Sequence, residues 1–169
     1  MAGATIAASA ALACSLGEAC LRINIPLVAR AADRVLAARL AGQLADIRDR
    51  LLALTDEDGA AITAFAALRA AGKTLEGQER LCQMPIEMAR LAIEAACLLQ
   101  EFRPIIQLAQ DDLEMAITLL TGASRAATLL LDSNLRLWPA LPLLARFEPE
   151  LAALRGEAGR VRPVERIRP

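Results

Sequence analysis

Apolar residues recur along this chain at helical spacing almost from end to end. From Thr5 to Ile25 an Ala-rich run, interrupted only near its end by Glu18 and Arg22, reads as one helix that stops at Pro26. The next segment, "LVARAADRVLAARLAGQLADIRDRLLALT", sets Val28, Ala31, Val35, Leu36, Leu40, Leu44, Ile47, Leu51 and Leu52 on one stripe with Arg and Asp opposite, the pattern of a bundle helix. Thr55, followed by Asp56, Glu57 and Asp58, has the cap and early acids of a helix start, and Gly72 closes that helix. A short polar helix then precedes a break before Pro85, which suits the first position of the next helix. The run from Asp111 to Trp138 is a last long helix, apolar most of the way round, as befits the centre of a bundle or an interface between chains. The pattern holds no convincing strand and predicts an all-α bundle of about five or six helices with a long Ala-rich central helix.

Composition sharpens this picture. At 169 residues the chain is the size of one domain, and it is 56% hydrophobic but only 2% aromatic. Leu and Ala must therefore fill the core, which suits close-packed helices and not a sheet. A net charge of −1 gives no electrostatic reason to expect nucleic acid or an anionic membrane. The four cysteines, Cys14, Cys20, Cys82 and Cys97, form no CxxC pair, and the chain has no His. A zinc site or a Cys–His nucleophile is thus not expected, and unpaired small thiols point to a reducing, cytoplasmic setting. No basic residues precede the opening run as a secretory signal would require, and its reliance on Ala, with Glu18 and Arg22, argues against a membrane span. The expected organisation is a single helical domain over residues 1–154 and an Arg/Pro-rich flexible tail over 155–169.

Four short segments, taken in order, carry a resemblance. "AGATIAASAALACSL" is similar to a Gly-Gly-Gly-Ser turn that runs into an Ala-rich helix. "LTDEDGAAI", from Leu54, is similar to a Leu-x-Asp-Glu-Asp helix start, and "MPIEMARLA", from Met84, to a Val-Pro-Leu-x-x-Ala start. "QDDLEMA" followed by "GASRAATLLLDSN" resembles Ser-Asp-x-Gly-Val-Ala leading to a helix with two Asn four residues apart. Together they resemble the formiminotetrahydrofolate cyclodeaminase / methenyltetrahydrofolate cyclohydrolase family over nearly all of the chain up to Trp138. Departures fall on the ligand side. Only Gly3 remains of the three glycines, Glu114 stands at the Gly of the last pattern, Leu130 replaces the first Asn, and Lys73 is the single lysine.

The resemblance implies an all-α fold that dimerises through its long helices and holds folate at helix ends without a metal. It implies chemistry on a one-carbon unit between two folate nitrogens, with water attacking the bridging carbon or ammonia leaving as a ring closes. Such steps need positioned carboxylates to pass protons. The candidates at matching positions are Asp112, Asp58 and Glu57 for proton transfer, and Gly3, Ala4, Thr5, Arg125 and Asn134 for the ligand. Each has a plainer reading beside it: acids in a first turn complement the macrodipole, Asn134 sits in turn-like "DSN", and Arg125 can be a surface cation. A homodimer with a folate-type small molecule is expected, with no nucleic acid and no membrane. The alternative is a divergent helical binding or assembly subunit that has kept the packing motifs but lost the reaction.

Overall fold

In a computed structural model, which describes residues 2–167, five α-helices account for the architecture. They are α1 (Ala2–Asn24), α2 (Ala31–Ala70), α3 (Thr74–Phe102), α4 (Gln110–Leu137) and α5 (Leu141–Ala158), with a single 3-10 turn, Arg103–Ile105, before α4. The described residues contain no strand. Helices α1 to α4 pack as an antiparallel ring, each against the next and α4 back against α1, while α5 covers the α3/α4 side. Cross-links fix the register. Arg39 meets Glu101 at 2.9 Å, Arg50 meets Glu87 at 2.5 Å and Arg80 meets Glu57 at 2.5 Å, so α2 and α3 run past each other without slippage.

The Ala-rich run is not central as expected: α1 is one of the four helices of the ring and keeps an outer face exposed, with its small residues turned to α2 and α4. Ala7, Ala10, Ala11, Ala13 and Cys14 are all at most 1% exposed, because small side chains let α2 and α4 approach α1 on two sides. By length and composition α1 could cross a membrane, yet 44% of its most apolar 18-residue window is buried within the bundle. The larger core side chains come from the neighbours, among them Leu40, Leu44, Leu51, Leu99, Phe102 and Phe147.

Three boundaries differ from the sequence pattern. Helix α2 runs unbroken through Thr55, whose hydroxyl donates back to the carbonyl of Leu51 at 3.2 Å instead of capping a new helix. Likewise α3 runs through Pro85 with no break. The expected 155–169 tail begins inside α5, which reaches Ala158; Pro142, in its first turn, supplies a helix start that the apolar pattern did not reveal. On the stripe of α2, Val35 (70% exposed) and Leu52 (48%) face outward, whereas Leu40, Leu44 and Leu51 are fully buried.

One polar residue sets the turn into α4. Asn24, fully buried at the end of α1, accepts N–H bonds from Gln107 (2.7 Å) and Leu108 (2.9 Å) and donates to the Leu108 carbonyl at 2.8 Å. The strain of Ala109, held left-handed at φ 59°, is imposed by this clamp.

Candidate functional site

At the first turn of α1 the backbone N–H of Ala4 donates to Oδ2 of Asp58 at 3.0 Å. Asp58 lies in the interior of α2 and is only 6% exposed. The first N–H groups of a helix have no intrahelical partner and carry partial positive charge, so this carboxylate serves α1 as a cap borrowed from its neighbour. Gly3 permits the approach. A Cβ there would lie 2.6 Å from Asp58 Cγ and closer still to Oδ1. Gly3, Ala4 and Asp58 therefore meet at one end of the bundle, and the acid that looked like a cap for its own helix caps another. Thr5 lies on the exposed side of α1, where it and Ser9 border an open groove of about 370 Å3 whose far wall includes Gly122 and Ala126 of α4.

Glu57, adjacent in sequence, belongs to a different cluster. It pairs with Arg50 and with Arg80, and Arg50 also holds Glu87. The hydrogen bond from Arg50 is the main cause that keeps the Glu57 carboxyl below its usual range, and bonds to Glu87 and Glu57 raise the Arg50 guanidinium above its own. These partly exposed pairs tie α2 to α3 and contribute modestly to stability.

Asp112 is at the far end. It is exposed in the first turn of α4 and close enough to Cys20 for its charge to act on that thiol. Ala4 and Cys20 are 16 residues apart on α1, about 24 Å at 1.5 Å per residue. A single chain thus keeps Asp112 well away from Asp58. Arg125 is exposed midway along α4 and, with Thr121, Thr128 and Arg155, lines an open cavity of about 380 Å3 against α5.

Asn134 has a task within the chain. Its Nδ2 donates to the carbonyl of Leu81 at 2.9 Å. In an unbroken helix that carbonyl would accept from residue 85, but Pro85 has no N–H. The side chain of Asn134 supplies the missing donor, and this is how α3 can pass through a buried proline. One turn further on, Trp138 ends α4, its N–H bonded to the Asn134 carbonyl at 3.0 Å. Its ring lies 5.4 Å from that of Phe65, the planes inclined at 48°. Neither ring stands out in the apolar pattern; the rarity of aromatics in the chain is the available signal.

Burial raises all four thiols: Cys14 to about 12, Cys20 and Cys82 to about 11, and Cys97 in the same direction. None is disposed to act as a nucleophile near neutral pH. Among the described residues no group of three or more Cys, Asp or Glu is placed to hold a metal ion.

The family model for formiminotransferase-cyclodeaminase matches residues 2–139. The chain belongs to that family. In this formiminotransferase-cyclodeaminase family member the matched segment takes in α1 to α4 and ends just past Trp138, so α5 and the residues after it lie outside the match. The family is one of folate one-carbon metabolism. A comparison with curated proteins returns no match. Two of the four segments that carried the resemblance, around Gly3 and Asp58, are in direct contact. The third, from Met84, is the stretch of α3 that contains Pro85, and the fourth opens α4.

Proposed function

We propose that this protein converts a folate-bound one-carbon unit, as a methenyltetrahydrofolate cyclohydrolase or formiminotetrahydrofolate cyclodeaminase, and that it does so as a cytoplasmic homodimer. The observation that carries the reading is the Gly3–Asp58 contact, which holds one carboxylate oxygen on the Ala4 N–H at a helix start beside the residues expected to meet ligand. A carboxylate fixed in this way can accept the proton of a water attacking the bridging carbon, and the rest of the α1 N-terminus favours an anionic group of the ligand. The four unpaired cysteines support a reducing compartment.

The second proton-transfer candidate, Asp112, needs the dimer. Leu12 (72% exposed), Leu119 (55%), Leu129 (65%) and Met115 (51%) make α1 and α4 present a shared apolar face. Two copies joined through this face about a two-fold axis, helices antiparallel, bring Asp112 of each towards the Gly3–Asp58 end of the other. Complementation tests both halves of the reading by loss of methenyltetrahydrofolate absorbance. Asp58→Asn and Asp112→Asn are each expected to be inactive alone, and co-refolded mixtures are expected to regain about a quarter of wild-type activity through mixed dimers with one intact site. No recovery in mixtures that contain mixed dimers would refute the shared site. No acceleration by the wild-type dimer would refute the enzyme.

One observation favours the second reading, a non-catalytic helical subunit. Where the family motif has Gly, Glu114 is 4% exposed and pairs with Arg103 at 2.6 Å, so an ion pair stands at a position to which the motif assigns no side chain. A wild-type dimer that neither binds folate nor speeds the reaction would establish it.

A further inference from the structure

We propose that Phe65 and Trp138 form the platform on which the flat pyrimidinone ring of the ligand lies, an inference that rests on the folate reading above. The chain has three Phe and one Trp. Phe102 and Phe147 are sealed in the core at 0% and 1% exposure, as expected where aromatic area is scarce and burial is favourable. The other two are treated differently. Both remain partly exposed and are paired with each other at the edge of the bundle, where their faces do not contribute full burial.

Their placement follows from the site's own elements. Phe65 is seven residues beyond Asp58 on α2, two turns along the same face and about 10 Å away. Trp138 ends α4 one turn after Asn134, whose bond to the Leu81 carbonyl anchors that end of α4 to α3. Phe65 in turn is seated on Gly77 of α3, where a Cβ would lie 2.6 Å from its Cδ2. Three helices thus hold two rings rigidly at the end of the bundle that carries the Gly3–Asp58 contact. The flat pyrimidinone ring of a tetrahydropterin can stack on the platform while its reduced ring, which carries the one-carbon unit, extends along α2 towards the carboxylate. Stacking of a heteroaromatic ring on such side chains contributes binding without directional hydrogen bonds, which suits a site whose glycines and lysines are few.

Because Trp138 is the single Trp, its fluorescence reports on this platform alone. The experiment titrates the wild-type protein with 5-formyltetrahydrofolate and, separately, with pterin-6-carboxylate, following fluorescence and calorimetry in parallel. Saturable quenching by both ligands is expected, with the calorimetric affinity. Trp138→Ala is expected to weaken 5-formyltetrahydrofolate at least about tenfold, whereas Trp138→Phe stays within about threefold. Should Trp138→Ala not fold, Phe65→Leu decides in the same way. Calorimetric binding that leaves the fluorescence unchanged, with Trp138→Ala or Phe65→Leu binding as tightly as wild type, overturns the platform and leaves the folate reading standing. Absence of calorimetric binding by the wild type overturns both.

Discussion

Pro85 and Asn134 should be energetically coupled although they lie on different helices. Pro85 deprives the Leu81 carbonyl of its helical donor, and Asn134 Nδ2 takes that place at 2.9 Å. A made hydrogen bond contributes about 0.5–1.5 kcal/mol net, and an acceptor left unsatisfied in the interior costs about 1–3 kcal/mol. Asn134→Ala in the native background is therefore expected to destabilise by about 1–3 kcal/mol. With Pro85→Ala already present, the backbone N–H gained at that position can donate to Leu81, and the same Asn134→Ala change should cost less than about 0.5 kcal/mol. Pro85→Ala by itself combines opposing effects: helix propensity improves by up to about 3 kcal/mol, but ring atoms are lost from a site that is buried. The double-mutant cycle removes both effects, because only the difference between backgrounds is read. Urea denaturation of the four proteins at common slope gives the coupling directly. A coupling of about 1–2 kcal/mol is expected; equal costs of Asn134→Ala in both backgrounds would show that Asn134 does not serve the carbonyl freed by Pro85.

Three further outcomes follow from the geometry at the α1 start and from the thiols. Gly3→Ala would place a methyl carbon against Asp58 Oδ1 and 2.6 Å from Cγ, so the carboxylate must swing away from the Ala4 N–H. Loss of that cap should lower stability by about 0.5–2 kcal/mol, and an unchanged melting temperature would contradict the contact. Burial raises Cys14 from 9.0 to about 12 and Cys82 from 9.0 to about 11, so each thiol is neutral in the fold at a pH where the unfolded chain has ionised it. A folded-state value above the unfolded one contributes stability that is complete below pH 9.0 and is lost as pH rises through the folded value. Denaturation midpoints should therefore fall between about pH 9 and 12, less steeply in Cys14→Ala, and a thiol reagent at about pH 8 should label Cys97, the one cysteine that is partly exposed, before the other three. Uniform rapid labelling of all four would show that the core opens more readily than its packing implies.

Helix identity was legible in the apolar period, and so were the ends of α1 and α4 and the stop at Gly72, but the helix start expected at Thr55 and the break expected before Pro85 do not occur, and the reason is the same at both. Thr55 with its three acids carries a start signal because such residues bond to backbone locally; in α2 the bonds run instead to Leu51 within the helix and to Ala4 across to α1. Pro85 carries a break signal because it removes a donor, and the break is cancelled by the side chain of Asn134, which arrives from another helix. Local rules name the groups that need partners, whereas tertiary contact decides who supplies them. The candidate site divides along that line. The contact of Gly3 with Asp58 was implicit in two separate segments of the resemblance, since each was singled out for chemistry and neither could reveal that it faces the other. Glu57 sits beside Asp58 in sequence but about 100° round the helix, and that rotation alone sends it to Arg50 and Arg80. Asp112 shows the remaining limit. Its sequence position said nothing of the roughly 24 Å of α1 between it and Asp58, and once that length is known, a role for both carboxylates in one reaction requires a second chain.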